Sequence, residues 1–236
     1  MKQLLLFAGL TLGVTQLASA APMCVGGSLA SFIALGSGGC MIGTNTLSGF
    51  QALPGIGGAT AISPNNVTIT PIGGTTNPGL TAMTNLTATN GQIFDALITY
   101  MLTGNLYTSD SISISNATSS GNGAVSDIQN FCLGGTFGPN GVSGCTSGNA
   151  GSLLALGNPG VNTNQTNLTP IGKLTITHNF TLDGGGNGSA SGATITDQFA
   201  ATASIPEPAT YLLAGLGLAL AAFSKLRSSK FGSSRS

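Results

Sequence analysis

Apolar and polar residues alternate along much of this chain. Leu174, Ile176, Phe180 and Leu182 are separated by Thr175, Thr177, Asn179 and Thr181. A period of two sets one face of a strand against a core and the other toward water. His178 falls on the apolar side of that alternation. Asp183-Gly184 and the glycines after it read as a turn, and residues 193–200 as a return strand with Ile195 and Phe199 inward. Ile112 and Ile114 alternate with serines after a turn signal at Thr103-Gly104-Asn105. Residues 93–102 fit a helical face through Ile93, Leu97, Tyr100 and Met101 as well as a strand, and their Ile, Thr and Tyr content favours the strand. Val67-Thr68-Ile69 is a shorter candidate. Several strands joined by Gly-, Pro- and Asn-rich connections predict an all-β, loop-rich antiparallel β-sandwich.

The ends depart from this pattern. Lys2 precedes an apolar run over residues 4–14, and Ala18-Ser19-Ala20 supplies the small residues that signal peptidase accepts. The reading is a secretory signal peptide, cleaved between Ala20 and Ala21. Cys24 follows Ala21-Pro22-Met23, which lacks the Leu-x-small lead of a lipidated cysteine. At the other end, residues 209–223 carry no charge and precede Lys225, Arg227, Lys230 and Arg235. As a helix rising about 1.5 Å per residue this run falls short of a hydrocarbon core of ~30 Å. Snorkelling of Lys225 and Arg227 shortens the gap. Basic residues beyond the helix favour a cytoplasmic C-terminus, the orientation the signal peptide also requires. Glu207 is the only glutamate in the chain and lies between Pro206 and Pro208. Two prolines keep that tripeptide extended and helix-free, a form in which a processing enzyme can grip it.

Ile205-Pro206-Glu207-Pro208-Ala209-Thr210 followed by Tyr211-Leu212-Leu213-Ala214-Gly215-Leu216-Gly217 resembles the PEP-CTERM sorting signal of Gram-negative bacteria. The basic end is more dilute than the family's, with Leu226 between Lys225 and Arg227 and a Ser-rich extension to Ser236. The resemblance implies recognition by an exosortase, removal of the tail, and release to the cell surface or an extracellular polysaccharide matrix after transient anchoring in the inner membrane. The expected organisation is a signal peptide over 1–20, an exported β-rich domain over 21–204, and a sorting segment over 205–236 with its transmembrane helix at 209–223. Signal peptidase, the Sec translocon and exosortase are the expected partners, with extracellular polysaccharide as the candidate outside the cell.

Charge sharpens what the exported part excludes. Between the two ends Lys173 is the only basic residue, against Asp95, Asp110, Asp127, Asp183 and Asp197. A nucleic-acid binder needs a clustered Lys/Arg footprint, so no nucleic-acid partner is expected. Cys24, Cys40, Cys132 and Cys145 all fall in the exported part, an even number in an oxidising compartment, so two disulfides are expected. Of three pairings, Cys24 with Cys40 and Cys132 with Cys145 close the shortest loops. The four cysteines are not spaced as the close pairs of a zinc site, and neither metal nor cofactor is expected.

Candidate chemistry is sparse. If the strand ending at Leu182 pairs with the one starting at Ala193, His178 lies opposite Asp197 on the inward face, a pair able to orient an imidazole. No Gly-x-Ser-x-Gly motif supplies a nucleophile, and a glycosidase would have to draw both carboxyls from aspartates. Catalytic residues are therefore not assigned. Asp183-Gly184-Gly185-Gly186-Asn187-Gly188 has oxygen ligands but not the repeated spacing of a calcium loop, and reads as a hairpin tip. The expected function is a non-enzymatic surface or extracellular-matrix protein. The alternative is a carbohydrate-binding module, for which Tyr100 and Tyr107 are the only tyrosines outside the tail, in a chain without tryptophan.

Overall fold

The structure is a computed structural model that describes residues 21–138, 141, 144–157 and 162–202. The signal peptide expected over 1–20, including Ala20, and the sorting segment expected over 205–236, with Pro206, Glu207, Pro208, Lys225 and Arg227, lie outside the described residues.

Among the described residues twelve strands hydrogen-bond into one continuous sheet. In chain order they are β1 (Gly27–Ser28), β2 (Cys40–Ile42), β3 (Asn45–Leu53), β4 (Thr60–Ala61), β5 (Thr68–Ile72), β6 (Gly79–Thr89), β7 (Ile93–Ser115), β8 (Thr118–Ser120), β9 (Ala124–Leu133), β10 (Asn149–Gly157), β11 (Asn162–Asp183) and β12 (Ser189–Thr202). A short helix, α1 (Leu29–Ala34), follows β1, its first turn capped by Ser28 accepting from the Ser31 amide. Every pairing between strands is antiparallel except β4 against β7. The all-β antiparallel expectation is therefore met.

Two strands organise the rest. β7 has 23 residues and β11 has 22, so either one, fully straight, would reach about 75 Å at ~3.3 Å per residue. A domain of this size has a radius of gyration of only about 16 Å, so both must bend. β7 bends at Gly104, whose φ is +144° and whose missing Cβ would meet the Asn45 Cα at 2.9 Å. β11 shifts register between Asn167 and Lys173, opposite the same point. The Thr103-Gly104-Asn105 turn signal thus marks a bend inside one strand, not a turn between two. The irregularity is local, and pairing with β11 resumes on both sides of it.

Because of the bends, the two long strands serve two layers. In one layer β3, the first part of β7, the second part of β11, β9 and β10 lie side by side; in the other are β5, β6, β12, the second part of β7 and the first part of β11. Their inward faces share one sandwich-like core that includes Ile98, Leu102, Ile112, Leu174, Ile176, Phe180, Ile195 and Phe199. Burying a side chain of this kind stabilises the fold by about 1.5–3 kcal/mol.

The return strand at 193–200 exists, but it does not pair with β11. β12 sits between β6 and β7 instead. The link at residues 184–188 crosses from one layer to the other, because β12 gains a hydrogen-bonded neighbour on each side there. The two disulfides are Cys24–Cys40 and Cys132–Cys145. The first brackets α1, and the second closes a loop over the outer face of β11. No described helix is long and apolar enough to cross a membrane.

Candidate functional site

The polar residues that period-two alternation turns inward meet at one place. On β12 the inward set is Ile195, Asp197 and Phe199; on β7 it is Asp110, Ile112 and Ile114; on β9 it is Val125, Asp127, Gln129 and Phe131. Each run carries an acid or amide in a stripe otherwise apolar, and all of these side chains are buried. His178 of β11 enters the same space, as does Tyr100 of β7.

His178 is at the centre. Its Nδ1 lies 2.8 Å from Asp127 Oδ2 and its Nε2 lies 3.0 Å from Asp197 Oδ2. Asp127 is the diagonal neighbour of His178 on the adjoining strand, two positions along from Gln129, which opposes His178, whereas Asp197 reaches across from the other layer. The expected partner of His178 is therefore the right residue by a different route. It faces His178 across the core, not along a hairpin. The Tyr100 hydroxyl donates to the same Asp197 Oδ2. With a carboxylate at each ring nitrogen, both nitrogens act as donors and the ring is an imidazolium. Burial pulls the His178 pKa down, but Asp127 and Asp197 outweigh it and hold it well above the usual histidine value. Burial, reinforced by Asp197, raises the Tyr100 phenol well above its ordinary value.

Asp110 completes the cluster. It is the diagonal neighbour of Asp197 on paired strands, since Phe199 opposes Asp110 and Asp197 opposes Ile112. Neither of its oxygens has a partner at hydrogen-bond geometry, and the same holds for both polar atoms of Gln129, Asp127 Oδ1 and Asp197 Oδ1. Asp197 and Gln129 nonetheless lie against Asp110 closely enough to act on it. Burial, then the charge of Asp197, pushes the Asp110 carboxyl well above the ordinary carboxylate range. Sequence reasoning missed Asp110 and Asp127. The available signal was their phase with Ile112 and Ile114 in one case and with Val125 and Phe131 in the other.

An aromatic column leads out from the cluster. Tyr100 stacks on His178 at 6.0 Å between ring centroids, Phe50 on Tyr100 at 5.2 Å, and Phe32 of α1 tilts on Phe50 at 5.1 Å. A second polar device sits at the bend of β7. Buried Asn45 accepts from the Asn105 amide at 3.1 Å and from the Tyr107 hydroxyl at 3.0 Å, and its own amide donates to Thr75 O at 3.0 Å. Both tyrosines are thus fully buried, which removes the stacking surface expected of them.

Asp95 stands apart, on the outer face of its layer. Its Oδ2 accepts from the Ile56 amide at 3.0 Å, and the Asn179 amide, turned with its NH2 toward Asp95, donates to both oxygens. Burial raises its pKa, against the Ile56 contact that lowers it. Asp183 accepts from the Gly185 amide at 2.8 Å and so closes its own turn. No group of acids, histidines or cysteines among the described residues is arranged to hold a metal ion.

One surface cleft of about 370 Å³ opens on the outer face of β3, β7 and β11. Gln51, Leu53, Thr99, Met101 and Phe137 line it, without a charged residue. The loop closed by Cys132–Cys145 forms one wall. It is held down where the Thr175 and Thr177 hydroxyls each donate at 2.8 Å, to Gly135 O and Gly141 O.

Cluster and cleft belong to a domain whose C-terminal neighbour defines a sorted protein. Residues 204–228 match the PEP-CTERM protein-sorting motif. The chain thus carries the signal of an exosortase substrate, with export and transient membrane anchoring implied. No curated protein matches the chain. Among solved structures, the enzymatically active domain of tailspike protein 4 of bacteriophage CBA120 is similar at 12% identity and a TM-score of 0.27. The match covers 66% of this chain and 19% of that one, so the chain spans about a fifth of the tailspike chain, and a likeness this slight carries no argument.

Proposed function

We propose that the protein is a surface or extracellular-matrix component with no catalytic activity of its own, delivered by its sorting tail. What supports this reading is the burial of the chain's histidine and of the acids around it. His178 is 2% exposed and Asp110, Asp127 and Asp197 are 0% exposed, so no substrate atom can reach them. A general base must lie within hydrogen-bond reach of the proton it takes. In this reading the cluster is part of the scaffold, and Asn-, Ser- and Thr-rich outer faces meet the surrounding polymer. Mass spectrometry of the protein from cells with and without an exosortase tests delivery. A tail removed only when the enzyme is present supports the reading, and a C-terminus intact in both overturns it. Turnover of a polysaccharide or peptide by the purified folded protein would overturn the non-enzymatic part.

A carbohydrate-binding role rests on the cleft at Phe137. An uncharged concavity with one aromatic wall and an exposed amide at Gln51 suits a neutral saccharide. Saturable binding to a neutral polysaccharide that is lost in Phe137→Ala would favour this role over a purely scaffolding one.

A further inference from the structure

Asp110, Asp127 and Asp197 share one buried space with a single imidazole and no other cation. Moving a lone carboxylate from water into such a space is costly, by about 20 kcal/mol in the idealised limit and several kcal/mol after relaxation. Asp127 is compensated by His178 Nδ1, and Asp197 by His178 Nε2 and the Tyr100 hydroxyl. Asp110 meets no donor at hydrogen-bond geometry on either oxygen; Gln129 lies close enough to lower its pKa, but burial and Asp197 outweigh that contact. A carboxylate without donors is untenable there, whereas a carboxylic acid needs only an acceptor. Asp197, diagonal to Asp110 on the adjoining strand, lies close enough to act on it and has one oxygen unpartnered, so it is the acceptor.

We infer that Asp110 and Asp197 hold one proton between them, and that this proton locks the interior of the domain, so that acid tightens the fold and alkali loosens it. All the titratable groups facing the site enter into this. They are His178 from β11, Tyr100 and Asp110 from β7, Asp127 from β9 and Asp197 from β12, while Gln129 of β9 is polar and uncharged. Asp127 in turn acts on Asp95, which lies on the outer face.

Burial first, then Asp197, raises the folded pKa of Asp110. Its stabilising contribution is complete below the usual carboxyl value of ~4 and is lost as pH climbs through the folded value. The pKa of His178 is also raised, so its contribution is complete below ~6.5 and is lost in the same direction at higher pH. A domain held by ordinary carboxylate ion pairs behaves in the opposite way in acid.

The test is urea unfolding of the purified protein from about pH 4 to about pH 9, for the wild type and for Asp110→Asn, which is permanently neutral. The wild type is expected to lose stability as pH rises. The variant is expected to release about one proton fewer per molecule on unfolding over the same range. Parallel profiles, or wild-type stability that rises from acid to neutral pH, would overturn the proposal. If the variant does not fold, the Asp110 carboxyl carbon is followed by NMR in the wild type. Titration well above the ordinary carboxylate range supports the shared proton, and an ordinary midpoint sinks it.

Discussion

Replacing His178 with alanine removes the only cation between Asp127 and Asp197 and leaves both carboxyls fully buried. Breaking a buried ion pair by deleting one partner costs about 3–5 kcal/mol, because the survivor stays uncompensated. Here one deletion takes the cation from two carboxyls, and Asp197 keeps only neutral partners, the Tyr100 hydroxyl and the proton it shares with Asp110. The loss also takes away the surface on which Tyr100 stacks. Total stabilities of single domains are about 5–15 kcal/mol, so His178→Ala should remove a third or more of the total. With no tryptophan in the chain, far-UV circular dichroism in urea is the suitable probe. Tyr100→Phe provides an internal comparison. It removes one hydrogen bond to a carboxylate and should cost about 1.5–3 kcal/mol. The two changes share Asp197, so their double mutant should depart from additivity by about 0.5–3 kcal/mol. A His178→Ala loss under about 1 kcal/mol, or strict additivity with Tyr100→Phe, would refute the idea that these groups act as one unit.

Asn45→Ala removes the side-chain acceptor of the Asn105 amide and of the Tyr107 hydroxyl at the bend of β7; the expected cost is about 2–4 kcal/mol in the same unfolding assay. Opening the Cys132–Cys145 bridge by Cys→Ser at both positions should cost about 3 kcal/mol, since the sequence separation of 13 residues sets the loop entropy; an unchanged urea midpoint would contradict this. Gly151→Ala places a methyl 2.2 Å from the Phe131 ring, with an overpacking cost of about 1–3 kcal/mol. Asp95→Asn removes a group whose buried carboxyl has a raised pKa, so it should flatten a further part of the stability loss between acid and neutral pH.

Alternation made the inward faces at residues 112–114, 174–182 and 193–200 readable, and it placed His178 and Asp197 inside. Loop length made the disulfide pairing readable. The layer to which each strand belongs was not readable, because alternation assigns faces but not neighbours. The hairpin expected between β11 and β12 failed for that reason, and a glycine-rich link permits both an in-sheet turn and a crossing between layers. β9 was hidden by its own composition. Asp127 and Gln129 point inward while Ile128 is 40% exposed, so a reading by hydrophobicity puts the wrong face in the core. Helix α1 was missed because six residues are too few to display a helical period.

The place of β12 in the sheet bears on the order of events during export. It is the last described strand, yet it is interior to the sheet, flanked by β6 and β7, and it carries Asp197. Until the chain has been exported as far as Thr202, β6 and β7 lack the strand that joins them, and His178 lacks the acid that reaches it from that layer. Pro206 follows four residues later in the chain. The sheet can therefore be completed only once the segment next to the sorting motif has been exported. The membrane-directed tail follows that strand in the chain, so a copy comes to its anchoring step with every strand of the sheet already exported.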